Sequence, residues 1–295
     1  MTELTGEAGT GKTQLCMSAA ASAAALGHRV VYVDTSGSFS AARVKAFHRG
    51  FVTADAAPAE VEQHLRLTLG LITVVRVHDV LALFKVLEEL GLGAGGRAGM
   101  PGDGGLEGRA DLAAVGEQMG LLVVDSLSSL LSPLITRTHH QGYTVGFFER
   151  NSIPGRPSAF PASPPTTRRL IHPLSSTQAF VLVYFACGRC YLAVMASVAS
   201  LLRSLAPVHN CAVMYTNHTV SAGNSGGGGG RGASIKPALG IRWTSTPHRR
   251  LCLSRNSAGA GSQCLAEIIY GPGTGVRTVF QVVGDGIRTL DGQAP

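Results

Sequence analysis

Short β-branched runs alternate with stretches of helical spacing along this chain. Residues 28–34 (HRVVYVD), 72–77 (ITVVRV) and 121–125 (LLVVD) are almost continuously apolar, and two of them end in Asp. Strands buried on both faces of a parallel sheet read this way. Between them the spacing predicts helices. One covers 13–26, an Ala/Ser-rich run stopped by Gly27. Others cover 41–48, behind a Ser38 or Ser40 cap, and 59–69. A fourth, over 80–90, is capped by Asp79, with Leu81, Phe84, Val86, Leu87 and Leu90 as its apolar positions. Residues 1–5 read as extended. A helix over 193–206, a strand over 211–216 and a closing run of strands over 249–254, 264–270 and 276–283 complete the pattern. The expected fold class is α/β, a mostly parallel sheet flanked by helices, with no internal repeat.

Three stretches interrupt this alternation. Residues 91–108 and 220–236 are Gly-rich, the second holding consecutive glycines from Gly226 to Gly230, and both read as loops. Residues 135–177 carry Pro154, Pro157, Pro161, Pro164, Pro165 and Pro173 and little periodicity. They read as a disordered insertion. With the apolar run behind it, the insertion spans 135–191 and divides a core of 1–134 and 192–295. Two segments imitate membrane signals. The run after Lys12 resembles a signal peptide, but Glu3 and Glu7 precede it. Residues 179–202 are long enough to span a bilayer, but Arg189 lies within them and Cys187, Gly188 and Cys190 break the pattern. No membrane partner is expected.

Composition adds limits. Hydrophobic residues make up 45% of the 295, enough for a sizeable core, which excludes global disorder. The formal net charge is +7, carried almost entirely by Arg, since Lys12, Lys45, Lys85 and Lys236 are the only lysines. That balance permits a nucleic-acid partner without requiring one. Of six cysteines, only Cys187 and Cys190 are close. A single CxxC is a poor zinc signature, and reduced thiols suit a cytosolic or nuclear protein.

The sharpest chemistry lies at the start. Gly6, Glu7, Ala8, Gly9, Thr10, Gly11, Lys12 and Thr13 fit G-x-x-x-x-G-K-[ST]. Glycines let successive backbone N–H groups turn toward a phosphate, and the following helix adds its positive N-terminus. Lys12 is placed for the β and γ phosphates of ATP, and the Thr13 hydroxyl for Mg²⁺. Asp125, ending a downstream strand, is the expected acid for the Mg²⁺ water shell. The catalytic candidates are Lys12, Thr13 and Asp125, and the metal ligands Thr13 and Asp125.

The phrases TELTGEAGTGKTQLC, VVYVDTSGSFSAARV, LLVVDSLSSLLSPL, VMYTNHTVSAG and KPALGIRWTSTPHRRLCL follow one another in the order of a RecA-type recombinase core. The sequence resembles the eukaryotic recombinase paralogues, most closely their D-type branch. The resemblance implies a RecA-like P-loop NTPase fold, nuclear localisation and a role in homologous recombination. Implied partners are other recombinase paralogues, the strand-exchange recombinase and single-stranded DNA. It also implies that Arg43 packs on the adenine and that the loops near 137–140 (Arg137, His139, His140) and 220–236 face DNA. Three departures stand out. The family's N-terminal helical domain precedes the P-loop, and with Gly6 opening that loop the domain is expected to be absent. The family's D-T-E-G reads Asp34-Thr35-Ser36-Gly37, so the carboxylate that orients water is a hydroxyl. The family's Asn-Gln reads Asn217-His218, leaving His218 as an altered γ-phosphate sensor.

Between Arg231 and Arg255 the basic residues Arg231, Lys236, Arg242, Arg249, Arg250 and Arg255 stand with no acid among them, which suits single-stranded DNA. Arg231, Lys236, Arg249 and Arg250 are the DNA-binding candidates. Trp243 is the only aromatic among them. Three functions remain open: an ATP-binding recombinase paralogue with weak DNA-dependent ATPase activity at most, a nucleotide-gated scaffold without direct DNA contact, and a P-loop enzyme of another class.

Overall fold

The computed structural model describes residues 1–51, 56–92, 112, 115, 119–141, 191–221, 235–240, 243–256 and 263–290. Strand β1 (Thr2–Gly6) leads through a glycine-rich loop of residues 7–11 into α1 (Lys12–Ala25). Then follow β2 (Arg29–Asp34), α2 (Ala41–His48), a 3₁₀ turn (Arg49–Phe51), α3 (Pro58–Gly70), β3 (Ile72–Arg76), α4 (Val80–Leu92) and β4 (Met119–Asp125). After β4 come α5 (Leu127–Gln141), α6 (Tyr191–Val208), β5 (Ala212–Ser221), β6 (Ile235–Pro237), β7 (Arg249–Arg255), β8 (Gln263–Tyr270), β9 (Arg277–Val283) and β10 (Gly286–Thr289).

Among the described residues the sheet runs β10-β9-β8-β7-β1-β5-β4-β2-β3, with β6 paired on β5. From β7 to β3 every pairing is parallel; β7 to β10 form an antiparallel meander. The fold is thus α/β, a mostly parallel sheet flanked by helices. The strands are apolar on both sides because both sides are covered. Val31, Val33, Leu122, Val124, Val213 and Tyr215 face α4, α5 and α6, while Leu4, Val30, Tyr32, Leu121 and Val123 face α1 and α2. Helix α1 fits closely there because Cys16, Met17, Ala20, Ala21 and Ala24 are its buried residues beside Lys12, and most of them are small.

The helical reading of α4 holds with a shifted face. Val80, Leu83, Phe84, Val86, Leu87 and Leu90 are buried, whereas Leu81 is 39% exposed. The positions 80, 83, 84, 87 and 90 keep helical phase, and Leu81 falls outside it. Two strands and one helix were not foreseen. Strand β6 (Ile235–Pro237) pairs with β5, which itself runs to Ser221, so both ends of the stretch 220–236 are strand rather than loop. Strand β10 has four residues, too few for a periodic signal. Helix α5 buries Leu127, Leu130 and Leu131 on β4 and β5 and continues to Gln141 with Pro133 inside it, so residues 135–141 are helical rather than the start of a disordered insertion. The remainder of that insertion, with Cys187 and Cys190, lies outside the described residues. Among those described, no helix is long and apolar enough to cross a membrane.

Candidate functional site

The glycine-rich loop of residues 6–11 sits where β1 leaves the sheet between β5 and β7. In register Gly6 lies opposite His218 of β5 and Leu253 of β7. A Cβ at Gly6 would collide with the Leu253 carbonyl oxygen and lie 2.9 Å from Thr10 Oγ1. Gly9 has φ +77°, and a Cβ there would lie 2.7 Å from Arg255 Nη2. At Gly6 backbone crowding excludes a side chain, and at Gly9 the left-handed backbone disfavours one. Thr10 Oγ1 donates to the Glu7 carbonyl at 2.9 Å and closes the loop.

Helix α1 starts at Lys12 behind Gly11, without a side-chain cap and without an acid in its first turn. Its N-terminal amide groups therefore face the cavity that Ala8, Gly9, Gly11, Lys12, Thr13 and Gln14 line. Arg43, His218, Cys264 and Val282 complete the wall, and the volume is about 600 Å³. A glycine cradle at an uncapped helix N-terminus has the donor set and charge for a phosphate. The residues present thus fit a nucleotide polyphosphate.

Lys12 is buried and donates from Nζ to the carbonyls of Gly6 and Glu7, both at 2.7 Å. Burial holds its pKa below the ordinary value, opposed chiefly by the charge of Asp125. Asp125 is 2% exposed at the end of β4. Its Oδ1 accepts from Thr216 Oγ1 at 2.6 Å and its Oδ2 from Tyr32 Oη at 3.0 Å. Two buried hydroxyls therefore fix the carboxylate, a pairing across β2, β4 and β5 that sequence spacing could not reveal. Such an anchored carboxylate, close enough to Lys12 for their charges to interact, is a suitable oxygen donor for Mg²⁺.

The neighbouring strand end is equally ordered. Thr35 N–H donates to the Asp125 carbonyl at 2.8 Å, and Ser126 N–H donates to Thr35 Oγ1 at 2.7 Å. Asp34 is buried and accepts from the amides of Ser36, Ser38 and Phe39, each at 3.2 Å. Ser36 is exposed, its hydroxyl 2.7 Å from Ser38 Oγ. No carboxylate stands at position 36. His218 N–H donates to Ser128 Oγ at 2.9 Å. Partial burial of its ring, then the Lys12 ammonium, holds the His218 imidazole below the ordinary pKa.

Arg43 lines the cavity but is held by protein. Its guanidinium donates to Gln14 Oε1 at 2.6 Å and to the carbonyls of Val283 and Gly284, and it lies over the Phe47 ring at 4.4 Å. It ties α1 and α2 to the turn between β9 and β10.

The basic run divides. Arg231 and Arg242 lie outside the described residues. Lys236 is in β6, antiparallel to β5 opposite Val220. Arg249 is exposed at the start of β7, the end away from the phosphate loop. Arg250 corrects the sequence reading: it is buried, and its Nε donates to Glu3 Oε2 at 2.7 Å. It also donates to the Thr244 carbonyl at 3.1 Å, and Asn217 Nδ2 donates to Glu3 Oε1 at 2.7 Å. Burial raises the Glu3 pKa, while Arg250 and Asn217 oppose that rise. Trp243 is 2% exposed and donates to Tyr215 Oη at 3.0 Å, so it is core and offers no open face to a base. Arg137, His139 and His140 fall in the last turns of α5.

No family model matches the chain. Relatives found in a search of curated proteins include two that are both DNA repair protein RAD51 homolog 4. The Bos taurus protein is 27% identical over 262 residues, covering 88% of this chain and 57% of the relative. The chain is similar to RAD51 homolog 4. The Mus musculus protein is 24% identical over 263 residues, covering 89% of this chain and 56% of the relative. The chain thus spans a little over half the length of these curated relatives. Among solved structures, the crystal structure of the RadB recombinase matches with a TM-score of 0.52 and 15% identity, covering 97% of this chain and 88% of that one. At that identity the match speaks for the fold, which is RecA-like.

Proposed function

We propose that this chain is an ATP-binding recombinase paralogue that acts in homologous recombination and DNA double-strand break repair, within a nuclear hetero-oligomer. The observation that carries the reading is the uncapped N-terminus of α1 behind the Gly6–Gly11 cradle, with Lys12 reaching into the same loop. The similarity to RAD51 homolog 4 supports the choice among P-loop proteins. In this reading the loop amides and Lys12 hold the β and γ phosphates of ATP, and Thr13 and Asp125 hold Mg²⁺. Bound Mg²⁺ neutralises charge on the phosphate oxygens. Partners are other recombinase paralogues and the strand-exchange recombinase. Single-stranded DNA is met through Arg249, Lys236 and Arg231; Arg250 contributes to the fold instead.

A second reading is favoured by one residue. With Ser36 in place of a carboxylate, the protein binds ATP and turns it over slowly, and the bound state orders a partner interface. Single-turnover hydrolysis in the presence of single-stranded DNA and partner subunits tests both. The wild type is expected to bind Mg·ATP but hydrolyse it slowly. Ser36→Glu should raise the rate, since a positioned base is worth ~10²–10⁴-fold. Brisk turnover by the unmodified chain alone would remove the scaffold reading. Failure to bind Mg·ATP would remove the nucleotide reading altogether.

A further inference from the structure

We propose that Arg255 is a second cation of the phosphate site, a nucleotide-binding residue that grips the polyphosphate from the β7 side while Lys12 serves from the α1 side. This rests on the nucleotide reading above and adds a residue to it.

Sheet register brings Arg255 there. Strand β7 runs parallel to β1 and pairs Leu253 with Gly6, the residue at which the phosphate loop begins. Arg255 lies two residues further and shares the face of Leu253, which packs with Leu15 of α1 and with Phe280. The guanidinium consequently reaches the crest of the loop, where Nη2 occupies the space a Cβ on Gly9 would enter. Gly9 thus serves twice: it permits the left-handed turn and leaves room for the arginine.

Arg255 also differs from the other ordered arginines nearby. Arg43 is bound to Gln14 and two carbonyls, Arg277 to Glu267, and Arg288 to Asp285. Arg250 is bound to Glu3. Among the described residues, no hydrogen bond or ion pair engages the side chain of Arg255, which is exposed at the end of its strand. Its charge acts on Cys264, a residue of the cavity wall, lowering the thiol pKa that burial raises. An unpaired guanidinium held against a phosphate cradle by sheet register has the geometry for bidentate contact with phosphate oxygens.

The test is isothermal titration of the full chain with Mg·ADP and with Mg·AMP-PNP. Arg255→Ala should weaken AMP-PNP by about 10-fold or more, the scale of a hydrogen bond to a charged group. The loss should be smaller for ADP, which carries less negative charge. Arg255→Lys should recover part of it. Arg277→Ala, which removes an exposed cation already paired with Glu267, should bind as wild type does. The thermal midpoint of ligand-free Arg255→Ala should match the wild type, because the side chain is exposed and unpaired. If the wild type binds, Lys12→Ala does not, and Arg255→Ala binds unchanged, this inference falls while the nucleotide reading stands. An affinity loss in Arg255→Ala accompanied by a lowered midpoint would also overturn it, as a structural role. If the wild type itself binds neither nucleotide, both fall together.

Discussion

Strand β7 carries one arginine at residue 250 and another at 255, and the fold treats them in opposite ways. Five residues is an odd separation, so the two side chains leave opposite faces of the sheet. Arg250 enters the side covered by Tyr215 and Trp243 and meets Glu3, with 7% of its side chain exposed and none of that of Glu3. Arg255 leaves on the α1 side, at the strand end, beside Gly9. One is committed to a buried network that fastens β1, β5 and β7; the other is left open to a ligand. Charge alone does not distinguish them. What a cation does here is decided by the face and the strand end on which register places it.

The largest expected effect breaks the buried half of that comparison. Arg250→Ala leaves the Glu3 carboxylate without its ion-pair partner in a site that excludes water, which should cost about 3–5 kcal/mol of stability. Chemical denaturation reads it directly. The paired change Glu3→Gln with Arg250→Met should cost much less, because no charge is stranded. Nucleotide affinity per folded molecule should persist in both. A small loss in Arg250→Ala would mean that the pair contributes little, and the contrast with Arg255 would dissolve.

Next comes the open half. Lys12→Ala removes a cation from the phosphate loop and should weaken ATP binding by about 2 kcal/mol or more, as a charge-assisted bond requires. The denaturation midpoint should move far less than in Arg250→Ala. Equal ATP affinity in wild type and variant would remove the phosphate-site assignment.

The sequence made the site legible where its logic is local. Eight consecutive residues, 6–13, form the glycine loop and the start of α1, and the Asp at the end of 121–125 follows from a strand pattern that ends in an acid. What it hid is long-range. Glu3 and Arg250 are 247 positions apart, and only the parallel register of β1 on β7 joins them. The hydroxyls of Tyr32 and Thr216 reach Asp125 across 93 and 91 positions. The same reason separates Arg250 from Arg255: a run of basic residues without an acid looks like one surface until a distant acid appears beside it. Helix α5 was hidden differently, because Ser128, Ser129, Ser132 and Pro133 dilute its apolar signal, although Leu127, Leu130 and Leu131 are buried.

A smaller effect concerns the other end of β7. Arg249 is exposed there, away from the phosphate loop. If it meets a phosphate of single-stranded DNA, Arg249→Ala should lessen the dependence of log affinity on log salt by about 0.7, the value for one contact. Fluorescence anisotropy across a salt series measures the slope. Arg250→Ala, corrected for its folded fraction, should leave the slope as it is. Equal slopes in wild type and Arg249→Ala would leave Arg249 as ordinary surface.

The smallest expected effect asks whether a half-buried histidine pair elsewhere reaches the nucleotide cavity. His48 of α2 and His64 of α3 meet with Nε2 and Nδ1 at 2.7 Å, and His48 is 1% exposed with Nδ1 unpartnered. Burial first, then the charge of His64, holds the His48 pKa below the ordinary value. The sign follows: the unfolded chain takes up a proton near the ordinary histidine value of about 6.5, while the folded chain takes it up only at lower pH. In that window the unfolded state binds more protons, so stability is full above about pH 6.5 and declines as pH falls through the folded pKa. His48→Phe should flatten this part of the stability profile. Helix α2 also carries Arg43, which reaches Gln14 and the carbonyls of Val283 and Gly284 at the cavity wall. Loosening α2 by acid should therefore lower AMP-PNP affinity over the same window, and His48→Phe should remove that drop as well. An affinity drop that persists in His48→Phe would assign it to a group in the cavity itself, with His218 the first to substitute.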